Sequence, residues 1–508
     1  MIVVTPIALG SLRGSRINFP PGYSSRRSPS ISDFISCTLR LTYESQGNDG
    51  EGGSLSHSTT SKSATAGIVA GAALLLMMPA LWNGFPFLFW DSGDYLTATL
   101  TGERVVYRDP VYGFLVAPLH AGYSLWGVVA GQCLLAAWVL WETLCQLLPK
   151  PGREGVYLAL VALLAFGTSL PWFAGQIMPD IMGALAVPMI FVLAIGELSV
   201  VKRIVLGMLL AAALACHLSF LPLGVGLLLV LLMLYWPLAG RGLTLRLGAI
   251  AAAVAAAPAL VVCANVALGG PPVLSQTSHA FLLARLVQDG LARQTLDRLC
   301  PDPELTLCAL KDHLPPTAND FLWGDSEAFA RVGGWLGSKR EADRIIEASL
   351  RLFPGDHLVS AVTLSAHQLV SFSTADGLES QAEPWGLIEA HFPADLPSYA
   401  AARQQTGRLP VTEINLLQVP LAAASMVLLP GLALLAWRRA RWREVAGLML
   451  VGAALLGNAV ICGVLSNPNA RYESRMVWLA VFAAGLAVAD WVRGMETARR
   501  AARPTGET

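Results

Sequence analysis

Residues 66–90 read AGIVAGAALLLMMPALWNGFPFLFW, an uncharged apolar run that stops abruptly at Asp91-Ser92-Gly93-Asp94-Tyr95. A helix needs ~20 apolar residues to cross a bilayer, and this run is long enough. Comparable runs recur down the chain. Their spacing predicts spans at about 66–88, 123–148, 155–172, 178–197, 201–217, 219–237, 246–268, 414–437, 445–465 and 475–492. Within lipid only a helix satisfies its own backbone amides, so the expected fold is an all-α polytopic membrane protein with ten transmembrane helices. Composition points the same way. Of 508 residues, 54% are hydrophobic and 14% charged, against about 25% charged in ordinary soluble domains, and the mean hydropathy is +0.54. Water cannot solvate that much apolar surface on a compact globule. A soluble enzyme, a disordered regulator and a coiled coil are thereby excluded. Thirty-five Lys and Arg balance thirty-five Asp and Glu, so no basic excess suggests a nucleic acid partner.

The charges have a local order. Lys150/Arg153, Lys202/Arg203, Arg241/Arg246, Arg438/Arg439/Arg441/Arg443 and the tail Arg493/Arg499/Arg500/Arg503 fall on alternate connections. By the positive-inside rule, ten spans with both termini cytoplasmic put all five clusters inside, as in a bacterial inner-membrane protein. Residues 1–65 are rich in Ser, Gly, Arg and Thr and read as a disordered cytoplasmic arm, or as sequence upstream of the true start. Met1–Gly10 lacks the basic n-region of a secretory signal. The remaining organisation is a transmembrane core over 66–268 with its first external loop at 89–122, an external domain over 269–413, transmembrane helices over 414–492 and a cytoplasmic tail over 493–508. The external domain is expected to be small and helical, because Phe281–Leu299 and Glu341–Phe353 carry amphipathic patterns. Within it, Cys300 and Cys308 flank Pro301-Asp302-Pro303, a turn that favours a disulfide in an oxidising compartment.

Four places combine charge with an apolar boundary. Asp91 and Asp94 directly follow the first span. Either Asp91 or Ser92 could cap a helix starting near Gly93; alternatively, a carboxylate in a half-apolar setting suits a general base. Arg108-Asp109-Pro110-Val111-Tyr112 opens an expected interfacial helix over 110–121, since proline suits a first turn. Asp180, after Pro179, opens the fourth span, where an ionisable group is a functional candidate or simply meets the positive helix end. Arg471 and Arg475 precede the last span, share a helix face and stand on the side where basic residues are disfavoured. A phosphate would compensate them through bidentate bonds, as would an ion pair with Glu473, Asp91 or Asp94.

Together these pieces resemble the polytopic glycosyltransferases of the GT-C class, which include the protein O-mannosyltransferases and the bacterial lipid A aminoarabinose transferases. Asp91 and Tyr95 match the ends of an Asp-Glu-x-x-Tyr motif, and Arg108, Pro110 and Tyr112 match an Arg-x-Pro-x-Tyr-like helix start. Asp180 is similar to a later acidic residue, and Arg471-Tyr472 to a late Arg-Tyr element. The resemblance covers residues 66–200 well and 460–492 loosely. It departs at Ser92, which stands where the motif has its second acid, while Asp94 follows two residues on. The implied activity is transfer of a sugar from a polyprenyl-phosphate donor to a lipid or glycan acceptor outside the membrane. Asp91 or Asp94 would be the catalytic base. Tyr95, Arg108, Tyr112, Asp180, Arg471, Tyr472 and Arg475 would bind substrate, with a divalent metal ion as an optional cofactor. Two other classes fit the composition: a transporter or flippase for a lipid-linked or anionic solute, and a non-catalytic membrane scaffold.

Overall fold

In the computed structural model, the described residues are 55–150, 152–235 and 241–501. Residues 1–54 of the expected arm over 1–65, Cys37 among them, and the last tail residues lie outside them. The helices are α1 (Leu55–Asn83), α2 (Ser92–Leu100), α3 (Val111–His120), α4 (Trp126–Leu147), α5 (Arg153–Gly167), α6 (Leu170–Ala174), α7 (Asp180–Ile195), α8 (Val200–Ala215), α9 (Phe220–Tyr235) and α10 (Arg241–Ala267). A run of shorter helices follows: α11 (Ser278–Gln288), α12 (Leu291–Leu299), α13 (Ala318–Trp323), α14 (Glu327–Arg331), α15 (Gly334–Gly337), α16 (Lys339–Leu352), α17 (Pro354–Val370), α18 (Trp385–His391) and α19 (Leu396–Ala401). Three long helices close the chain: α20 (Val411–Arg438), α21 (Trp442–Leu465) and α22 (Ala470–Ala501). Among the described residues there is no strand, only an isolated parallel bridge between Phe87 and Gln176.

Among the described residues, six helices are long and apolar enough to cross a membrane: Ser63–Asn83, Trp126–Leu147, Thr244–Ala267, Val411–Arg438, Trp442–Leu465 and Ala470–Met495. The other four expected spans are helices of 15 or 16 residues. At 1.5 Å per residue that is about 24 Å, short of the ~30 Å hydrocarbon core. Helix α7 shows why a short helix suffices. Every one of its residues is buried, so it is wrapped by α4, α8, α10, α21 and α22 and does not meet lipid. By contrast, Leu416 and Val427 on α20 are 74% and 79% exposed, as a lipid-facing stripe requires.

Several boundaries differ from the sequence reading. Helix α1 begins at Leu55, so the last residues of the expected arm are helical. It stops at Asn83 rather than at 88, because Gly84 takes a φ of +90° and Pro86 lacks the amide a helix would need. The expected 155–172 span is broken at Thr168, which is extended; Pro171 then starts α6 in a first turn. Helix α22 runs beyond both ends of the expected 475–492.

The segment 269–413 divides its buried apolar residues between two clusters. Its first part has a core of its own, from Ala280 on α11 through Leu296 and Phe321 to Ile345 on α16. Gly290, at φ +73°, divides the expected Phe281–Leu299 helix into α11 and α12. The second part joins the main core through Leu378, Ile388, Phe392, Tyr399 and Ala402. Helix α17 lies against α21 where Gly463 leaves room; a Cβ there would stand 2.8 Å from the amide nitrogen of Ser365.

The connections sort to two ends of the bundle. At one end the basic clusters gather. Lys202 pairs with Glu142 at 2.9 Å, Arg246 donates to the carbonyl of Ile195, Arg441 pairs with Glu444 and Asp490, and the Arg493 guanidinium lies over Gly152. At the other end, loops 84–91, 101–110, 168–179, 216–219 and 466–469 meet, covered by 371–410.

If the basic end is cytoplasmic, reporter fusions after residues 240 and 340 should read inside and outside respectively; a cytoplasmic signal at 340 would refute the orientation. Cys300 and Cys308 are joined in a disulfide with Cα atoms 5.7 Å apart. Non-reducing peptide mapping should recover the linked pair, and Cys300→Ser with Cys308→Ser should destabilise the protein by no more than about 3 kcal/mol for so short a loop.

Candidate functional site

The site is built where three loops are sewn together. Phe87 makes both backbone bonds of its parallel bridge with Gln176: its amide donates to the carbonyl of Gly175 at 3.0 Å, and its carbonyl accepts from the Ile177 amide at 2.9 Å. Stacking of Phe87 on Trp172 at 5.1 Å supports the join. Gln404 clamps the same loop from the other side, its amide group donating to the Leu88 carbonyl and its oxygen accepting from the Leu88 amide. The chain leaving α1 is thereby pinned against the residues that lead into Asp180.

Two ion clusters result. In the first, Arg108 pairs closely with Asp91, and its Nε stands 3.7 Å from Asp94. Asp91 precedes α2 without capping it; its carboxylate serves the arginine instead. Ser92 is also committed elsewhere, because its Oγ accepts from the Phe89 amide at 2.8 Å. Asp94 is therefore the second acid of this loop. Burial pushes its carboxyl up to about 6, against the pull of Arg108 and with the help of Asp91.

In the second cluster, Asp180 is buried at the start of α7. One of its oxygens lies 3.2 Å from Arg475 Nη1 and 3.6 Å from Arg471 Nε. Thus the two arginines do share a face, and their partner is Asp180 rather than Glu473, Asp91 or Asp94. Arg475 also donates to Asn458 Oδ1 at 3.0 Å and to Ser219 Oγ at 3.4 Å. Glu473 accepts from the same Asn458. Arg471 is tied down by its backbone, whose amide donates to Asp376 at 3.0 Å, and its guanidinium lies 3.8 Å from the Phe89 ring centre. The Tyr472 ring stands 5.6 Å from Arg471 and 5.2 Å from Arg475. Even so, Arg471 Nη1 and Arg475 Nε are buried and donate to no partner.

The clusters are neighbours. Phe89 and Asp91 are two residues apart, and Asp91, Tyr95 and Asp180 all lie close enough to act on the Arg471 charge. Tyr95 meets Tyr112 edge-on at 5.7 Å. The Tyr112 hydroxyl donates to Gln132, which in turn donates to the carbonyls of Ala174 and Gln176. Tyr112 is thus a brace behind the site. Cys300 and Cys308 belong to the separate core of 278–353.

Several functional candidates escaped the sequence reading. Asn458, a polar residue inside an apolar run, carried a legible signal. Phe89 and Asp376 carried none, since their partners are distant in sequence. Asp109 was quoted within a motif but given no role. It is buried, accepts from the Leu218 amide, and is pushed up to about 7 mainly by burial.

A divalent ion does not fit this donor set. Each carboxylate nearest the centre already faces a guanidinium, and no group of three or more His, Cys, Asp or Glu side chains among the described residues could hold a metal. Comparison of the chain with protein-family models, curated proteins and solved structures finds no match.

Asp109 generates a test of the local electrostatics. Its folded pKa lies above the usual 3.8, so its contribution favours the fold below about pH 4 and is lost as pH rises through about 7. Asp109→Asn keeps an oxygen for Leu218 and cannot ionise. The variant in detergent should match the parent's thermal midpoint near pH 3.5 and exceed it at pH 8.5; equal midpoints at both would refute the assignment.

Proposed function

We propose that this chain is a membrane glycosyltransferase of the GT-C kind, moving a sugar from a polyprenyl-phosphate donor to an acceptor on the non-cytoplasmic face of a bacterial inner membrane. The observation that carries this reading is the shared carboxylate. Two buried guanidiniums on α22 face one Asp180 oxygen, and each keeps an unpartnered nitrogen. Asp180 alone does not balance both guanidiniums, and the Glu473 carboxyl meets Arg475 only through Asn458, in a place where charge is costly. A lipid phosphate supplies both the missing charge and the acceptors that planar guanidiniums bind.

The carboxylates beside it suit the other half of the reaction. Asp94 is the better base, since Asp91 is held closely by Arg108. Asp94 takes the proton of the acceptor hydroxyl. The oxygen then bonds to the anomeric carbon while the bond from that carbon to the phosphate oxygen breaks. The electron pair leaves on the lipid phosphate, where Arg471 and Arg475 stabilise it, an electrostatic contribution that often dominates catalysis. Asp180 is the positioning residue that fixes both arginines. Asp91 and Arg108 fix the loop that carries the base.

The transporter reading draws on the same ions, and the break at Thr168 is the feature that favours it. That break lies beside the ion clusters at the bundle end rather than midway along the helices. The Ser169 hydroxyl there donates to the Ser474 carbonyl at 2.5 Å, which ties the break to the arginine turn.

Activity can be read as glycolipid or glycan products by mass spectrometry in cells and membranes. With Asp94 as base, the rate should rise with pH through about 6 and level off above it, because only the ionised carboxylate accepts a proton. Asp94→Asn should lower the rate by about 10²–10⁴ with protein level maintained. Arg471→Ala should weaken binding of undecaprenyl phosphate as well as turnover. Unchanged products in the Asp91→Asn, Asp94→Asn double variant would remove the catalytic assignment.

A further inference from the structure

The residues around Arg108 carry an observation that the two ion clusters do not use. Tyr107 reaches from the 101–110 loop into the separate helical unit of 278–353. Its ring lies 5.1 Å from Trp323, edge-on, and 4.8 Å from Trp335; Trp323 and Trp335 are themselves 4.8 Å apart. Phe281 backs this group at 5.4 Å from Trp335. The Arg108 guanidinium stands 5.3 Å from the Tyr107 ring and 5.5 Å from Trp323. Trp323, the last residue of α13, is nonetheless 48% exposed. It shares Arg108 with a carboxylate pair that is itself partly open, Asp91 and Asp94 having side chains 22% and 29% exposed.

Position along the site decides what that surface is for. From one side to the other, contacts run from Arg471 to Phe89, through the turn to Asp91, from Asp91 to Arg108, and from Arg108 to Trp323. The carboxylates lie between the phosphate-binding arginines and the aromatic group. In a displacement at the anomeric carbon the nucleophile approaches opposite the leaving phosphate, so the acceptor stands beyond the base. Its binding surface must combine a flat apolar face with charged acceptors and donors at the rim. A pyranose ring offers the complement: axial C–H bonds on one face and hydroxyls around the edge. Aromatic rings favour such flat contacts, and sites of this type add a few placed polar groups for orientation.

We propose that Trp323 is the shelf of the acceptor subsite, and that the acceptor is a carbohydrate whose pyranose ring stacks there with a hydroxyl directed at Asp91 and Asp94. This assignment rests on the transferase reading and gives the helical unit its role, which is to supply the acceptor wall of a site otherwise made by the bundle.

The test uses full-length protein in lipid nanodiscs, free of sugar detergents. Methyl glycosides of glucose, galactose, mannose and N-acetylglucosamine are examined by saturation-transfer NMR. At least one should receive transfer, strongest at the ring protons of one face. Its affinity should fall about tenfold or more in Trp323→Ala and stay within about threefold of the parent in Trp323→Phe, in line with the usual worth of a central aromatic contact. Undecaprenyl phosphate binding should be unchanged in Trp323→Ala, and glycoside binding unchanged in Arg471→Ala. Silence from all four glycosides, or parent affinity in Trp323→Ala, overturns the acceptor assignment. Undecaprenyl phosphate binding that survives Arg471→Ala would instead fail the transferase reading and leave the glycoside result standing, so the two failures are distinct.

Discussion

One carboxylate shared by two guanidiniums inside an apolar bundle is the contact on which the rest of the structure depends. Each buried ion costs several kcal/mol of lost hydration, and only close pairing offsets it. Asp180 therefore constrains the chain far beyond itself. The first turn of α7 must meet the first turns of α22, so the 168–179 and 466–469 connections must lie at the same end. The arginines then need Asn458 from α21 and Ser219 from the turn before α9. A single ionic knot thus draws on three helices and a turn. It also explains why α7 is wholly buried: a helix whose N-terminus carries this ion is held at the centre, and its neighbours shield the charge from lipid.

The knot is incomplete, and its incompleteness is organised. On the arginine side two guanidiniums directly face one carboxylate. On the Arg108 side two carboxylates face one guanidinium, so the excess is negative when Asp94 is ionised. Opposite imbalances held a few residues apart would relax toward each other if the loops were free. The Phe87–Gln176 bridge, the Gln404 clamp and the bond from Phe89 to Ser92 prevent this. Phe89, between the clusters, offers Arg471 an aromatic face in place of the nearer carboxylate. A fixed separation of charge of this kind suits the proposed transfer, in which negative charge builds at one end and a proton is removed at the other.

What could be read from the sequence follows from how far each interaction reaches along the chain. Apolar runs are local, so helices occur at all ten expected places, although only six meet the length and composition of a membrane span. Charges in apolar settings are also local signals, and Asp91, Asp94, Arg108, Asp180, Arg471 and Arg475 all lie at one bundle end. Pairing is not local. Asp180 and Arg475 are 295 positions apart, and nothing near Arg471 distinguished Asp180 from Glu473 as its partner. Nor could amphipathic patterns show that 269–413 divides. Helix α16 buries its apolar face in a core of its own and α18 in the main core, yet their patterns look alike, because a pattern states that a face is covered and not by what.

Arg108 is the point where that division acquires consequences. The helical unit of 278–353 has its own core, so its place on the bundle is set by a few polar and aromatic contacts. These are the insertion of Tyr107, the bond from Arg285 to Asn467 at 2.9 Å and the bond from Ser360 to Asp289 at 2.8 Å. Interfaces of that kind are modest in strength and allow relative motion. Yet Arg108, which neutralises Asp91 and approaches Asp94, is roofed by Tyr107 and Trp323 from that interface. Lifting the unit would hydrate Arg108 and weaken its hold on both carboxylates, because ion pairs lose strength as the surrounding dielectric rises. The charge balance of the loop at 91–94 is therefore coupled to whether the unit is seated. A ligand wedged between Trp323 and the carboxylates would favour the seated state, and a seated unit would in turn favour the ligand, since linkage between the two is reciprocal.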